Sequence, residues 1–111
     1  MDLKTKQIGE VTVVRLKFNA LDASNAKIFK SDIASIIREG KRVVLDLSDI
    51  EFIDSYGCET LIFCHRELSK SGGHFKLCNV QKDPLDLFKL VRLHQIIEIF
   101  QTQTEAVSAC H

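Results

Sequence analysis

Strand-type and helix-type runs alternate along almost the whole chain, and this alternation restricts the possible folds more than any other property of the sequence. Val11-Thr12-Val13-Val14-Arg15-Leu16-Lys17-Phe18 is β-branched and partly alternating, which predicts a strand. Residues 3–8 pair with it through Gly9-Glu10, a two-residue hairpin signal. After Ser24, the apolar residues Ile28, Phe29, Ile33, Ile36 and Ile37 lie on one face of a helix that ends near Gly40. Residues 43–47 read as a buried strand. A second helix over 57–70 carries the stripe Cys58, Leu61, Ile62, His65 and Leu68, and Gly72-Gly73 stops it. Residues 75–80 form a strand, and Asp83-Pro84 opens a third helix, with Pro in the first turn where its missing N–H costs nothing. Leu85, Leu87, Phe88, Val91 and Leu93 follow, then a short strand over 96–100 and a weak terminal helix over 104–109. The order ββαβαβαβα predicts an α/β domain. Its central sheet is mostly parallel with an N-terminal hairpin strand, its crossovers are right-handed, and helices pack against it.

A chain of 111 residues reads as one domain spanning 1–111, long enough to bury a core without staples. Fifteen Lys and Arg balance fifteen Asp and Glu, so the basic excess of a nucleic-acid binder is missing. Lys4-Thr5-Lys6 and Lys41-Arg42 are too short to form a polyanion stripe. No apolar run approaches the roughly 20 residues of a membrane span. Met1-Asp2-Leu3-Lys4-Thr5-Lys6 lacks the apolar core of a secretory signal, so the expectation is a cytoplasmic protein with no membrane insertion. Cys58, Cys64, Cys78 and Cys110 form no C-x-x-C pair and read as reduced, structural thiols.

The point of greatest functional interest is the passage from the third strand into the second helix. Val43-Val44-Leu45-Asp46-Leu47 runs into the acidic turn Ser48-Asp49-Ile50-Glu51-Phe52-Ile53, and Asp54-Ser55-Tyr56-Gly57-Cys58 opens the helix. A hydroxyl there faces solvent beside a helix N-terminus, where unpaired N–H groups and the helix dipole favour an anion such as phosphate. Ser55 or Asp54 could equally act as a plain helix cap. A catalytic serine fits less well. The G-x-S-x-G elbow fails because Ile53 stands at its first glycine, and no triad order is visible. His65, His74, His94 and His111 with the four cysteines show no zinc spacing, and neither phosphate-binding glycine loop occurs, so no cofactor or metal is expected.

The segment from Val43 to Gly57 resembles the signature of STAS domains, specifically the bacterial anti-sigma factor antagonists: an apolar strand, an acidic turn, then Asp-Ser-x-Gly opening a helix. Leu21-Asp22-Ala23 is similar to the family's Leu-Asp segment. Leu87-Phe88-Lys89-Leu90-Val91-Arg92-Leu93 with Ile96-Ile97-Glu98-Ile99-Phe100 resembles its last helix and strand. Asn19 stands where the family commonly has glycine, and a left-handed backbone there would suit Asn best among the other residues. Tyr56 replaces a small residue, and Cys58 and Glu59 replace small or aliphatic ones, which changes the shape and charge of a docking face.

The resemblance implies a binding protein rather than an enzyme. In its unphosphorylated form it would sequester an anti-sigma factor that is also a serine kinase. Phosphorylation of Ser55 would release that partner, and a PPM-type serine phosphatase would restore the hydroxyl. Asp22, Ser24, Asp54, Ser55, Tyr56, Gly57, Cys58 and Glu59 are the expected partner-binding residues, with Asp46, Asp49, Glu51 and Asp54 making the approach acidic. A non-switching structural STAS subunit of a lipid-transporter or signalling scaffold is the alternative. Oligomeric state stays open.

Overall fold

The computed structural model describes residues 2–110. Strands β1 (Leu3–Ile8) and β2 (Val11–Leu16) form the expected antiparallel hairpin. Gly9, at φ +59°, takes the first turn position, where only a residue that tolerates a left-handed backbone matches the strand twist. From β2 the chain passes through β3 (Ala20–Leu21), α1 (Ala26–Glu39), β4 (Arg42–Asp46), β5 (Phe52–Ile53), α2 (Ser55–Lys70), β6 (His74–Cys78), α3 (Lys82–Leu90), β7 (Ile99–Phe100) and α4 (Gln103–Ala109). The main sheet has the order β1-β2-β4-β6-β7, parallel from β2 onward.

Period-two burial divides the strands between two layers. Val14, Leu16, Val43, Leu45, Phe75 and Leu77 face the main core. Phe29, Ile33 and Ile37 of α1, Leu61, Cys64 and Leu68 of α2 and Phe88 of α3 fill that core from the helical side. Val11, Val13, Val44 and Cys78 point to the other face, where Ala106, Val107 and Cys110 close a smaller cluster. β4 is therefore buried on both faces, which explains its unbroken apolar run. Each crossover steps the same way across the sheet, so the strand order nowhere reverses. Among the described residues the sheet therefore has no reversal point of the kind at which open α/β sheets bind nucleotides.

The structure adds one feature to the expected order. β3 and β5 form a separate parallel ribbon, Ala20 opposite Phe52 and Leu21 opposite Ile53. Two-residue strands carry too little periodicity to be seen in sequence. The third helix stops at Leu90 rather than reaching Leu93, because Arg92 turns left-handed (φ +61°) ahead of a 3-10 turn over Leu93–Gln95. The last strand is confined to Ile99–Phe100. Ile97 is fully buried but packs into the core from a loop, so its apolar character reflects burial rather than pairing. Among the described residues no helix is long and apolar enough to cross a membrane.

Candidate functional site

The ribbon β3–β5 carries the candidate site, since it lays the loop before α1 beside the first turn of α2. Asp54 is the N-cap of α2 and uses both carboxylate oxygens. Oδ1 accepts from the Gly57 N–H at 3.0 Å, and Oδ2 accepts from the Ala23 N–H at 2.9 Å. One side chain thus closes the helix and ties it to the neighbouring loop. The choice that the sequence left open between Asp54 and Ser55 falls to Asp54. Ser55 is the first helical residue, exposed, and among the described residues its hydroxyl has no hydrogen-bond partner. Helix α2 therefore begins at Ser55, two residues before the expected Gly57.

Gly57 is required by close packing. A Cβ built there would collide with the Leu21 carbonyl oxygen and lie 2.5 Å from Ile53 Cγ1. The α2 helix thus sits directly on the ribbon, and this contact sets where Ser55 emerges. Across the loop, Asp22 Oδ1 accepts from the Ser24 N–H at 3.0 Å and the Ser24 hydroxyl at 2.5 Å. Asn25 Oδ1 accepts from the Asp22 N–H, and Asn25 Nδ2 donates to the Ala20 carbonyl at 2.7 Å. Asn25, not Ser24, is the residue at the start of α1. Asn19 is not left-handed. Its carbonyl accepts from the Glu51 and Phe52 N–H groups at 2.7 and 3.2 Å, so the ribbon needs no glycine there.

The structure brings Asp22, Ser24, Asp54 and Ser55 together at this corner. Tyr56, in the same first turn, and Glu59, on the next, line a groove of about 370 Å³ with Ala23, Lys27 and Lys30. Two expected residues do not present side chains. Gly57 is buried, and Cys58 is 5% exposed with its thiol pushed up to about 11, by burial first and by Asp54 second. Cys58 faces the core because it lies one residue beyond Gly57 on the face that α2 turns to the sheet.

The acidic approach is smaller than the sequence suggested. Asp49 points away and pairs with Arg15 at 2.8 Å and Lys17 at 3.9 Å. The Arg15 hydrogen bond holds its carboxyl below the usual range. Asp46 is 4% exposed and accepts from the Ser48 N–H, Asn79 Nδ2 and Gln103 Nε2 at 2.9–3.2 Å, locking the end of β4 to α4. Glu51 lines a separate hollow with Asn19 and Asp49, and the carboxylates at the Ser55 corner are those of Asp22, Asp54 and Glu59, with Lys27 and Lys30 in the adjoining groove. These two lysines were missed in the sequence, although their i, i+3 spacing on α1 was visible.

The arrangement suits group acceptance better than acid–base chemistry. His65, on the same helix, lies about 15 Å further along its axis and is half-buried with Nδ1 unpartnered. Among the described residues no group of three or more His, Cys, Asp or Glu side chains is placed to hold a metal, and His111 lies outside those residues. The exposed Ser55 hydroxyl stands at the first turn beside the N–H groups of Ser55 and Tyr56, which no upstream carbonyl can reach, the setting in which helix N-termini favour anions.

A STAS domain profile matches residues 2–106 of the chain. The chain is similar to a candidate anti-sigma factor antagonist from Thermotoga maritima, whose crystal structure superposes with a TM-score of 0.89. The two are 26% identical, over 97% of this chain and 93% of that one. It is 25% identical over 79 residues to the anti-sigma-B factor antagonist of Bacillus subtilis, covering 71% of this chain and 72% of that protein. In fold it is also similar to the Bacillus cell fate determinant SpoIIAA in its phosphorylated form, with a TM-score of 0.72 and 21% identity over 99% of this chain and all of that one.

Proposed function

Because this chain belongs to the STAS domain family and is similar to anti-sigma factor antagonists within it, we propose that it is a partner-switching regulator controlled by phosphorylation of Ser55. In the unphosphorylated state, the corner formed by Asp22, Ser24, Ser55, Tyr56 and Glu59 docks a serine kinase that is also an anti-sigma factor. The kinase transfers a phosphoryl group to the Ser55 hydroxyl and is released. A PPM-type serine phosphatase hydrolyses the phosphoserine and resets the cycle. The protein catalyses nothing itself; it is the substrate and the ligand.

One observation carries this reading: Asp54 does the capping, so the adjacent hydroxyl is spared for transfer. A phosphate there adds about −1.5 to −2 charges. The unpaired N–H groups of the first turn stabilise it within the domain, an effect of about 0.3–1 kcal/mol. A docked partner must instead bury that charge against Asp22 and Glu59, so the interface breaks while the fold holds. The similarity to SpoIIAA, known in a phosphorylated form, supports the same chemistry. The test is mass spectrometry of the protein isolated from cells with and without its kinase. Phosphate on Ser55 that disappears with the kinase is the expected result; an unmodified Ser55 in kinase-replete cells would remove the proposal.

A further inference from the structure

Helices α1 and α2 both return from one parallel strand to the next, so they run in the same direction and leave a seam between them. Two hollows lie along it. The first, about 370 Å³, begins at Tyr56 beside the phosphorylation corner. The second, about 320 Å³, lies further down between Ala34, Arg38, Phe63 and Glu67. Lys30 spans the ground between them, with its Nζ 3.9 Å above the Phe63 ring.

The α1 rim is the informative one. Lys27, Lys30, Ala34 and Arg38 follow the i, i+3, i+7, i+11 spacing of a single helical stripe, about 16 Å long. Lys27, Lys30 and Arg38 have no carboxylate partner among the described residues. The α2 rim supplies Tyr56, 58% exposed, and the half-buried Phe63, together with Glu59 and the Lys70-paired Glu67, so an apolar strip runs between a cationic α1 wall and an acidic α2 wall, and the carboxylates of an occupant belong on the edge that faces α1. A groove of three-turn length with an aromatic floor and one basic wall matches an amphipathic helix that carries carboxylates along one edge.

We infer that the α1–α2 seam docks an acidic amphipathic helix of the protein partner, with its carboxylates on Lys27, Lys30 and Arg38 and its apolar ridge on Tyr56 and Phe63. This rests on the Ser55 switch only for its regulation. The seam opens next to Ser55, so a phosphate there repels the acidic edge that the lysines attract. The partner's release then follows from the same charges that bind it.

The probe is a designed helical peptide of about 14 residues, with a leucine ridge flanked on one edge by glutamates, titrated into the labelled protein and followed by amide chemical shifts. Shifts confined to α1 and α2 around Lys27, Lys30, Tyr56 and Phe63 are expected, with binding about fivefold or more weaker when lysines replace the glutamates. Lys27→Glu with Lys30→Glu, at two exposed helix positions, is expected to reverse that preference while leaving the melting temperature near that of the parent. Equal binding of both peptides, no shifts at about 1 mM peptide, or shifts centred on the exposed Leu90 and Ile96 would overturn the inference. So would concentration-dependent self-association that moves the same amides without peptide, since a second copy would then fill the seam. Ser55→Glu separates the two ideas. Unchanged affinity for the acidic peptide, with binding still in the seam, keeps the groove and removes the electrostatic release. Phosphorylation of Ser55 with no peptide binding does the reverse.

Discussion

Two strand-to-helix junctions stand side by side on one edge of the sheet, and they are built differently. The junction into α3 follows β6. It has Gln81 at the cap position with no side-chain cap bond, Pro84 buried in the first turn, and the Gln81 side chain donating to the Ser48 carbonyl at 2.8 Å. The junction into α2 follows β4 and β5. There Asp54 takes one backbone donor from the first turn of α2 and one from the loop before α1, Gly57 admits the ribbon, and the next hydroxyl has no partner among the described residues. The α3 junction closes without a side-chain cap and spends its polar side chain on the loop after β4. The α2 junction concentrates closure in one carboxylate and one glycine and leaves Ser55 spare. The proposed switch thus sits at the junction whose support is the more localised, in Asp54 and Gly57.

The largest effect is expected at Gly57. Gly57→Ala drives a methyl into the Leu21 carbonyl and Ile53, neither of them a flexible tip, at a cost of about 2–4 kcal/mol in urea unfolding. Asp83→Ala, on the first turn of α3, is expected within about 0.5 kcal/mol of the parent. A Gly57→Ala protein as stable as the parent would mean that α2 rides further from the ribbon.

Asp54→Ala sharpens the contrast. It removes the cap and the tie to Ala23, and about 1–2 kcal/mol of stability should go with it. Gln81→Ala breaks one exposed hydrogen bond, with an expected loss of about 0.5 kcal/mol. Equal losses in paired denaturant curves would erase the distinction between the junctions.

The smallest effect belongs to the far part of α2. Burial, then Lys76 and Arg66, hold the His65 imidazole below its ordinary value of 6.5. The unfolded chain takes up that proton near pH 6.5, whereas the folded protein takes it only at lower pH. The contribution of the neutral ring is therefore complete above about pH 6.5 and falls away as the pH drops through that value. Stability measured between pH 7.5 and pH 5.5 should decline less steeply in His65→Gln than in the parent. Identical slopes would place the imidazole in free solvent.

The alternation of strand and helix was legible in the sequence because each element is long enough to show its period. Val43 to Leu47 even announced burial on both faces. The Asp54-Ser55-Tyr56-Gly57 corner was legible as a tetrapeptide, but its division of labour was not. Which oxygen takes which N–H depends on Ala23, 31 residues away in sequence, and on a ribbon of two-residue strands with no periodic signal. Charge was misjudged for the same reason. Asp46 and Asp49 are neighbours of the corner along the chain, yet one is sealed by Asn79 and Gln103 and the other is drawn off by Arg15. Lys27 and Lys30, distant along the chain, stand in the groove beside Tyr56.

The central claim is that Ser55 switches binding without supporting the fold. The direct measurement is calorimetric binding of the purified Ser55 kinase to the unmodified protein, to the protein phosphorylated on Ser55, and to Ser55→Ala, with thermal melts of all three. Tight binding is expected of the unmodified protein and of Ser55→Ala, with at least about tenfold weaker binding by the phosphoprotein and melting temperatures within a few degrees of one another. Equal affinity of the phosphorylated and unmodified forms, or unfolding of the phosphoprotein, would contradict it.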